Sequence, residues 1–551
     1  MADRTCGEQI PHLLNSYGID TVFGMPGVHS LEFYRTLEEA GIRHVGVRHE
    51  QGAGFMADGY ARASRRPGVA MIISGPGVTN ASTAIGQAYS DSVPVLLLTA
   101  AIASRDEGMG RGMLHEITDQ RGLSSPITGL SAMAYRASQV PQHLARAFAR
   151  FSAARPRPVH LSVPIDVLGE PLDTTGPVSS LPMTPGADPR IAAQIAALLI
   201  AAKRPVILAG GGAVNASDAL RRLVERSGAV FVSTVAGKGI LPESHAQSLG
   251  STLQRLPSCK YIADADLVIA FGTEISEPDL YVTADVEAGG EIDPALLEPK
   301  LTMNGRFVRI DIDPDVLIRD YDPEIALLAD ARLAAEAILD AMGDQQPDAE
   351  NPAETVAAIK EANRATLSPL EKAHDTVLKA VRAGLPPDAL IYADMTQIGY
   401  TGCVTFPVDN PACWHFPMGF GTLGYALPAA IGGQIACPGR ATAVIVGDGG
   451  FQFTLPELAT AVEQRLPLPI ILWDNDALGE IADFMKARQI PQIDVYPENP
   501  DFESLARAYR CQYTRASTPQ EVTEAVQGAL GQNGPTLIHV HQSAGWGDAA
   551  G

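Results

Sequence analysis

Residues Ala443–Gly479 read AVIVGDGGFQFTLPELATAVEQRLPLPIILWDNDALG, and this stretch decides the fold of the chain. Two short apolar runs, Val444–Val446 and Ile470–Trp473, predict buried strands. Between them, Thr454 and Glu457 match a capping box, and apolar residues at helical spacing follow. The sequence therefore predicts a strand–helix–strand unit whose two strands lie parallel, with their carboxyl ends at one edge of a sheet.

Candidate ligand-binding residues follow both strands, at the edge where open parallel sheets bind ligands. Asp448 offers a carboxylate, and Asn475, 27 residues later, offers an amide oxygen. With the backbone carbonyl of Ala477 they form a set of hard oxygen ligands that suits Mg²⁺. Gly-Asp-Gly alone is more often an ordinary turn, so the prediction depends on the second strand and its asparagine. The glycines that would let the backbone approach a diphosphate are Gly447, Gly449 and Gly450.

This pattern resembles the thiamin diphosphate signature, in which Gly-Asp-Gly is followed about 27 residues later by Asn-Asn. Here Asp474 stands in place of the first asparagine, and Asn475 falls on the ligand position. The resemblance implies that the chain binds thiamin diphosphate together with Mg²⁺. The departure adds one negative charge beside the metal site.

The composition limits which other classes of function are possible. The chain has 551 residues, of which 46% are hydrophobic and 19% charged, and its formal net charge is −22. This charge disfavours nucleic acids and anionic membranes as partners. No apolar run is long enough to span a membrane, and the six cysteines are scattered. We therefore expect a cytoplasmic protein.

Two linker-like stretches divide the chain. Glu170–Arg190 is rich in Pro, Gly, Ser and Thr, and Gly343–Glu354 is acidic and contains proline. They leave α/β blocks at residues 1–170, 190–342 and 355–551. The resemblance implies an α/β fold of three domains, with a pyrimidine-binding and a diphosphate-binding domain flanking a Rossmann-like middle domain.

The first block has three strand-end segments that resemble the pyrimidine-binding domain of thiamin diphosphate enzymes. They are Gly24–Gly27, His49-Glu50 and Ser74–Asn80, and each alone would be an unremarkable turn. The resemblance places the catalytic glutamate on Glu50, whose carboxyl would bond the aminopyrimidine ring and promote loss of the C2 proton. It also implies that Pro26, Gly27 and Asn80 contact the cofactor.

A later loop carries the candidates for substrate chemistry. His115 lies where acetolactate synthases carry Gln, and histidine suits proton transfer near neutral pH. Gln120 is a second catalytic candidate on this loop. Val28 and His29, next to the first turn, are further substrate-binding candidates by resemblance.

The third block supplies the rest of the expected cofactor site. By resemblance, the turn at Thr396 and Gln397 contacts the diphosphate, together with Gly421. Leu423 falls where the family places the apolar residue that bends the cofactor, which brings its exocyclic amine close to C2. Packing in the core is compatible with the same position.

The middle block contains a glycine-rich turn, Gly210–Gly212, after the strand Pro205–Leu208. It lacks the full Gly-x-Gly-x-x-Gly spacing, so we do not expect nicotinamide binding. Relatives in this group differ in whether the domain binds FAD. We expect a structural domain, so FAD remains an option that is not favoured.

The substrate is suggested by Glu480 and Asp483, which lie three residues apart after the metal loop and can share a helix face. A solvated surface explains them equally well. The overall pattern, however, resembles 5-guanidino-2-oxopentanoate (2-ketoarginine) decarboxylases, and a carboxylate suits a guanidinium tail. We therefore expect non-oxidative decarboxylation of this 2-oxo acid to 4-guanidinobutanal and CO₂.

Other activities stay open at this point. An acetolactate synthase-like carboligase, which joins the decarboxylated acid to a second carbonyl compound, is the main alternative. A benzoylformate-type decarboxylase would want polar residues at Val28 and Ile73, and a catalytically dead partner subunit would not need Glu50, Asp448 and Asn475. In the family the cofactor lies between two subunits, so we expect a dimer at least, and a tetramer is common.

Overall fold

The structure is a computed structural model that describes residues 4–174, 176–177, 179–280 and 300–546. These residues form three α/β domains, each built around a sheet whose paired strands are all parallel. The predicted fold class is therefore confirmed. In the described residues, no helix is long and apolar enough to cross a membrane.

The N-terminal domain is a six-stranded sheet covered by helices. Its strands are β1 (Thr21–Gly24), β2 (Arg43–Gly46), β3 (Gly68–Ile72), β4 (Val95–Ala101), β5 (Leu130–Met133) and β6 (Val159–Pro164). Its helices are α1 (Cys6–Ser16), α2 (Glu50–Ser64), α3 (Pro76–Ser90), α4 (Gln120–Ser124), α5 (Val140–Ala153) and α6 (Ile165–Leu168). The strand order is β2-β1-β3-β4-β6-β5, and a 3₁₀ helix at Val28–Tyr34 follows β1.

The middle domain has a five-stranded sheet. Its strands are β7 (Pro205–Ala209), β8 (Val230–Ser233), β9 (Leu267–Phe271), β10 (Arg306–Asp311) and β11 (Ile325–Leu328). Its helices are α7 (Pro189–Ala201), α8 (Ser217–Ser227), α9 (Leu256–Ala263), α10 (Glu277–Leu280), α11 (Pro314–Ile318) and α12 (Ala331–Met342). The strand order is β11-β10-β9-β7-β8, which fits the Rossmann-like prediction.

The glycine-rich turn of this middle domain is filled by protein atoms. A Cβ placed on Gly210 would lie 2.5 Å from the carbonyl oxygen of Gly272, and one on Gly212 would lie 3.0 Å from the Cα of Gly272. These glycines therefore allow two strand-end turns to pack backbone against backbone. This packing supports a structural role for the turn.

The C-terminal domain again has six strands: β12 (Leu390–Ala393), β13 (Trp414–His415), β14 (Thr442–Gly447), β15 (Pro469–Asp474), β16 (Gln512–Ala516) and β17 (Thr536–His541). Its helices are α13 (Ala353–Ala365), α14 (Pro369–Gly384), α15 (Gln397–Thr405), α16 (Ala426–Ala436), α17 (Asp448–Phe453), α18 (Glu457–Glu463), α19 (Gly479–Ala487), α20 (Phe502–Tyr509) and α21 (Pro519–Leu530). The order β13-β12-β14-β15-β17-β16 repeats the topology of the N-terminal sheet.

The two outer domains share one apolar core, in which α2 packs against α16. A Cβ on Gly59 would collide with the carbonyl oxygen of Ala429, and one on Gly432 would collide with that of Met56. Small residues at both positions let the two helix backbones touch. This contact fixes the N-terminal and C-terminal domains of one chain against each other.

The predicted strand–helix–strand unit is present, with one error. Strands β14 and β15 are parallel and adjacent, with Gly447 opposite Trp473. The capping box at Thr454 is wrong, because α18 begins only at Glu457 and the Thr454 hydroxyl donates to the carbonyl of Gly424, at 2.7 Å. The Glu457 carboxylate instead accepts backbone N–H bonds from the N-terminal domain.

Candidate active site

The predicted metal-binding residues meet at the carboxyl edge of the C-terminal sheet. Asp448 is buried at the end of β14, and Asn475 follows β15. The Asn475 amide nitrogen donates to Oε1 of Gln397 at 3.2 Å, and its Oδ1 accepts the N–H of Ala477 at 3.2 Å. This orientation directs the amide oxygen of Asn475, the harder ligand, away from Gln397 and towards the loop.

Glycines line the space beside these residues. A Cβ on Gly447 would lie 2.7 Å from Oγ1 of Thr396, and one on Gly479 would lie 2.6 Å from Oε1 of Gln397. Helix α15 begins next to them at Gln397 without a side-chain cap, and the start of a helix favours an anion. These glycines let the two turns pack closely against Thr396 and Gln397, and the oxygen donors of Asp448 and Asn475 fit a divalent cation that holds a diphosphate.

The extra charge of Asp474 has a partner. Its Oδ2 accepts a hydrogen bond from Nε2 of His539 at 2.8 Å, and its Oδ1 accepts one from the Asn499 amide at 3.0 Å. Burial alone would raise the pKa of Asp474, but the bond from His539 holds that pKa below its ordinary value. The aspartate that replaces the asparagine therefore has hydrogen-bond partners within the domain.

The loop before α16 carries Gly421 and Leu423. The Leu423 side chain points at Gly450, where a Cβ would lie 3.7 Å from Leu423 Cδ2. Asp394 holds the loop by accepting the N–H of Gly424 at 3.0 Å, and burial raises the pKa of this carboxyl to about 6. Leu423 is thus placed beside the glycine turn that follows β14.

The catalytic candidate Glu50 lies at the carboxyl edge of the N-terminal sheet. It is buried at the start of α2, and its Oε2 accepts a hydrogen bond from the Asn80 amide at 2.9 Å. The backbone just before it is held by Glu457, which accepts the N–H groups of Arg48 and His49, each at 3.0 Å. Burial raises the pKa of Glu457.

Two histidines stand at this same edge. The rings of His29 and His115 lie 5.1 Å apart, edge to face, and Nδ1 of His29 shares a hydrogen bond of 2.7 Å with the Ser74 hydroxyl. Desolvation lowers the pKa of His29, and the nearby charge of His115 lowers it further. His115 has a left-handed backbone (φ 64°), and its buried Nδ1 has no hydrogen-bond partner among the described residues.

Gln120 makes hydrogen bonds to the turn and the strands next to this edge. Its Oε1 accepts the N–H of Gly75 at 2.9 Å, and its Nε2 donates to the Ser162 hydroxyl at 2.7 Å and to the Ala100 carbonyl at 2.8 Å. A Cβ on Gly75 would lie 2.5 Å from the carbonyl oxygen of His115. The contacts of Gln120 therefore suit a positioning role for the His115 loop, and its catalytic role stays a prediction.

The remaining predicted residues lie around these two edges. Glu480 and Asp483, on α19, both lie near the Gln397 amide nitrogen, at 3.4 and 3.0 Å from their carboxylate oxygens. The Gln397 side chain thus contacts both this acidic pair and Asn475. Pro26 and Val28 are exposed, and Val28 retains 70% of its accessible surface. Gly27 packs on Ile73.

Three supporting residues escaped the sequence analysis. Asn499 donates to Oδ2 of Asp448 at 2.7 Å, Asp394 holds the loop of Leu423, and Glu457 holds the backbone before Glu50. No sequence motif predicts the roles of Asn499 and Asp394, because each makes a hydrogen bond to a residue distant in sequence. The sequence predicts Glu457 only as part of a local capping box.

Comparison with known proteins agrees with the geometry of the two edges. Three models of the thiamine pyrophosphate enzymes match the chain, where thiamine pyrophosphate is another name for thiamin diphosphate. They are the N-terminal TPP-binding domain at residues 4–123, the central domain at 192–338 and the C-terminal TPP-binding domain at 394–540.

Full-length relatives give the same result. The chain is 44% identical to a probable 2-ketoarginine decarboxylase from Pseudomonas aeruginosa, across 98% of this chain and 94% of that protein. It is 31% identical to the acetolactate synthase isozyme 1 large subunit of Escherichia coli, across 98% and 94%. It is also 31% identical to a probable acetolactate synthase large subunit of Methanocaldococcus jannaschii, across 97% and 91%. The chain therefore belongs to the thiamine pyrophosphate enzyme family.

Proposed function

We propose that this chain catalyses the non-oxidative decarboxylation of 5-guanidino-2-oxopentanoate to 4-guanidinobutanal and CO₂, with thiamin diphosphate and Mg²⁺. The observation that carries the choice of substrate is the acidic pair Glu480 and Asp483, which the Gln397 amide ties to the metal-ligand candidate Asn475. The similarity to a protein named as a probable 2-ketoarginine decarboxylase supports the same choice.

The chain's own residues divide the chemistry between the two edges. Asp448, Asn475 and the Ala477 carbonyl would hold Mg²⁺, and the glycines beside them would admit the diphosphate. When bound, thiamin diphosphate supplies a nucleophilic carbon and accepts the electrons released as CO₂ leaves. Glu50 would hold a proton at the aminopyrimidine ring, and the His29–His115 pair would move protons at the substrate.

The acidic pair would recognise the far end of the substrate. A guanidinium donates several N–H bonds in a plane, and carboxylates are its strongest acceptors. Glu480 and Asp483 lie on one face of α19, with their carboxylates near the same amide. Glu480 is the closer in sequence to the metal loop, so we expect it to contribute more.

We also propose that the active unit is at least a dimer. The atoms nearest to the glycines of the diphosphate edge belong to residues 394–479, and the contacts of Glu50 with Asn80 and Gly77 belong to the N-terminal domain. Large apolar side chains are exposed near both edges, such as Leu114 at 62% and Phe453 at 59%. Such exposure is typical of an interface, and a second copy of the chain would cover it.

A carboligase of the acetolactate synthase type is the second candidate. It is supported by the relatives from Escherichia coli and Methanocaldococcus jannaschii. The two activities differ in products, because a decarboxylase releases an aldehyde and a carboligase releases a 2-hydroxy ketone. Product analysis with pyruvate and with the guanidino acid separates them.

The six cysteines support a cytoplasmic location, which remains part of the proposal. All of them are unpaired in the structure, and four are buried. Unpaired thiols are typical of a reducing compartment.

The metal assignment predicts the behaviour of Asp448→Asn. Loss of the carboxylate removes the charged ligand, so we expect thiamin diphosphate to bind about 100-fold more weakly in the presence of Mg²⁺. Isothermal titration calorimetry measures this. Asp476→Asn, at the exposed aspartate that directly follows the asparagine ligand, is the matched control and should bind normally. Equal affinity in wild type and Asp448→Asn would refute the assignment.

The role of Glu50 predicts a separation of binding from activation. In Glu50→Gln the amide oxygen can still accept the bond from Asn80, so we expect cofactor affinity within about threefold of wild type. Exchange of the cofactor C2 proton for deuterium should slow by about 100-fold or more, because the carboxyl proton is lost. Quenched-flow NMR reads the exchange, and Glu38→Gln, at an exposed position, is the control. Exchange at the wild-type rate would remove Glu50 from its role.

The substrate assignment predicts a selective loss in Glu480→Gln. Removing one charge-assisted hydrogen bond should lower kcat/KM for 5-guanidino-2-oxopentanoate by about one to two decades. The same ratio for 2-oxohexanoate, a shorter 2-oxo acid with an uncharged tail, should change by less than about threefold, and Asp483→Asn should have the smaller effect. If Glu480→Gln lowers both ratios equally, or if wild type prefers pyruvate, the cationic substrate is wrong.

The dimer proposal predicts complementation between two inactive variants. In a mixed dimer of Glu50→Gln and Asp448→Asn chains, one site would receive the intact half of each chain. Random pairing should then restore about a quarter of the wild-type activity, since half of the dimers carry one good site of two. Steady-state CO₂ release after co-expression measures it. If each chain builds its own site, the mixture stays inactive.

A further inference from the structure

The loop at residues 419–424 is held by the N-terminal domain of its own chain as well as by Asp394 and Thr454 of its own domain. The N–H of Gly419 donates to Oδ1 of Asp91 at 2.8 Å, and the Thr422 hydroxyl donates to Oε1 of Gln87 at 2.9 Å. Both acceptors lie in the last part of α3 or just after it, and α3 belongs to the domain that carries Glu50. The loop that bears Leu423 is thus tied to another sheet.

These ties form one buried network. Gln87 is fully buried, and its Nε2 donates to Oδ2 of Asp91 at 2.7 Å. The Arg62 guanidinium bonds Asp91 at 2.7 Å and Asp58 at 2.6 Å. Asp58 also accepts the Tyr425 hydroxyl at 2.9 Å, just beyond the loop. Charged groups that bond each other away from water hold a definite geometry, because breaking any bond leaves a buried polar atom unpaired.

Hydrogen bonds from outside residues 419–424 are needed to fix the backbone of this loop. Gly421 (φ 67°) and Gly424 (φ 81°) both have left-handed backbones and flank Leu423. Glycine is the residue with the widest conformational freedom, so the two flanking positions restrict the direction of Leu423 only weakly. The hydroxyl of Thr422 is the polar group next to Leu423, and its acceptor is Gln87.

Helix α3 also reaches the other half-site of the chain, which in the proposed dimer belongs to the second active site. Asn80, near its start, donates to Glu50 at 2.9 Å, and Gln87 lies about 10 Å further along the helix axis. One rigid helix therefore contacts the catalytic carboxylate at one end and the loop of Leu423 at the other.

We propose that Gln87 and Asp91 are positioning residues for the cofactor, which act by holding the 419–424 loop so that Leu423 supports the bound thiamin diphosphate. This inference rests on the proposed function for the role of Leu423. It adds two residues of the N-terminal domain, outside both edges, to the determinants of cofactor affinity.

Thr422→Val tests the link, because valine keeps the shape of threonine and removes the donor to Gln87. We expect the Kd for thiamin diphosphate at saturating Mg²⁺ to rise about five- to tenfold, which corresponds to one lost hydrogen bond. Quenching of tryptophan fluorescence reads this binding without turnover. Thr422→Ser keeps the hydroxyl and should restore affinity to within about twofold of wild type.

Thr252→Val is the matched control. Thr252 and Thr422 have the same residual exposure, 7%, and the Thr252 hydroxyl also makes hydrogen bonds, in the middle domain. Both valine variants should lower the Tm of the cofactor-free protein, but only Thr422→Val should change the Kd. An unchanged Kd in Thr422→Val, or an equal change in both variants, overturns the inference.

A double-mutant cycle with Gln87→Met assigns the effect to the bond. If Gln87 acts through Thr422, the double variant should bind the cofactor no more weakly than Gln87→Met alone. Independent, additive losses would overturn the inference. Each variant is compared with wild type by its Kd for thiamin diphosphate. The test therefore stays valid if the proposed substrate is wrong. If wild type itself does not bind thiamin diphosphate, the proposed function fails instead.

Discussion

The direct backbone contact between α2 and α16 is the constraint on which the rest of the structure depends. Gly59 and Gly432 leave no side chain between the two helices, and any larger residue would force them apart. Glu50 stands at the start of α2, and the loop of Leu423 leads into α16. The same contact that closes the shared core therefore sets how the two half-sites that one chain contributes lie relative to each other.

The outer domains use one topology for two kinds of chemistry. Both sheets have the same strand order, and each presents its polar residues at the carboxyl edge. The N-terminal edge offers titratable groups, namely Glu50, His29 and His115. The C-terminal edge offers glycines and oxygen ligands around Asp448. The C-terminal edge can hold and orient a charged diphosphate, and the N-terminal edge can transfer protons. A complete site therefore needs both edges.

Buried polar networks adapt this shared scaffold to the chain. His539 shares a hydrogen bond with Asp474, the residue that departs from the family signature. Gln397 bonds both Asn475 and Asp483, so one side chain connects a metal-ligand candidate with a substrate-binding candidate. Gln120 bonds both the Gly75 turn, against which the His115 loop packs, and the neighbouring strand β6. In each case one side chain satisfies several partners, which makes the arrangement specific as well as stable.

The sequence by itself determined the elements that depend on local spacing: the parallel β14–β15 unit, the placement of the ligand candidates Asp448 and Asn475 after its two strands, and the position of Glu50 at the start of a helix. Periodicity and strand-end chemistry act over short distances along the chain, so they can be read without a structure. Only the tertiary structure decided what Glu457, Asn499 and Gln87 do. Glu457 matched a local capping box, yet it bonds Arg48 and His49, about 400 residues away in sequence. Such bonds form because folding brings distant edges together and buried polar atoms must find partners, and this requirement leaves no periodic trace in the sequence.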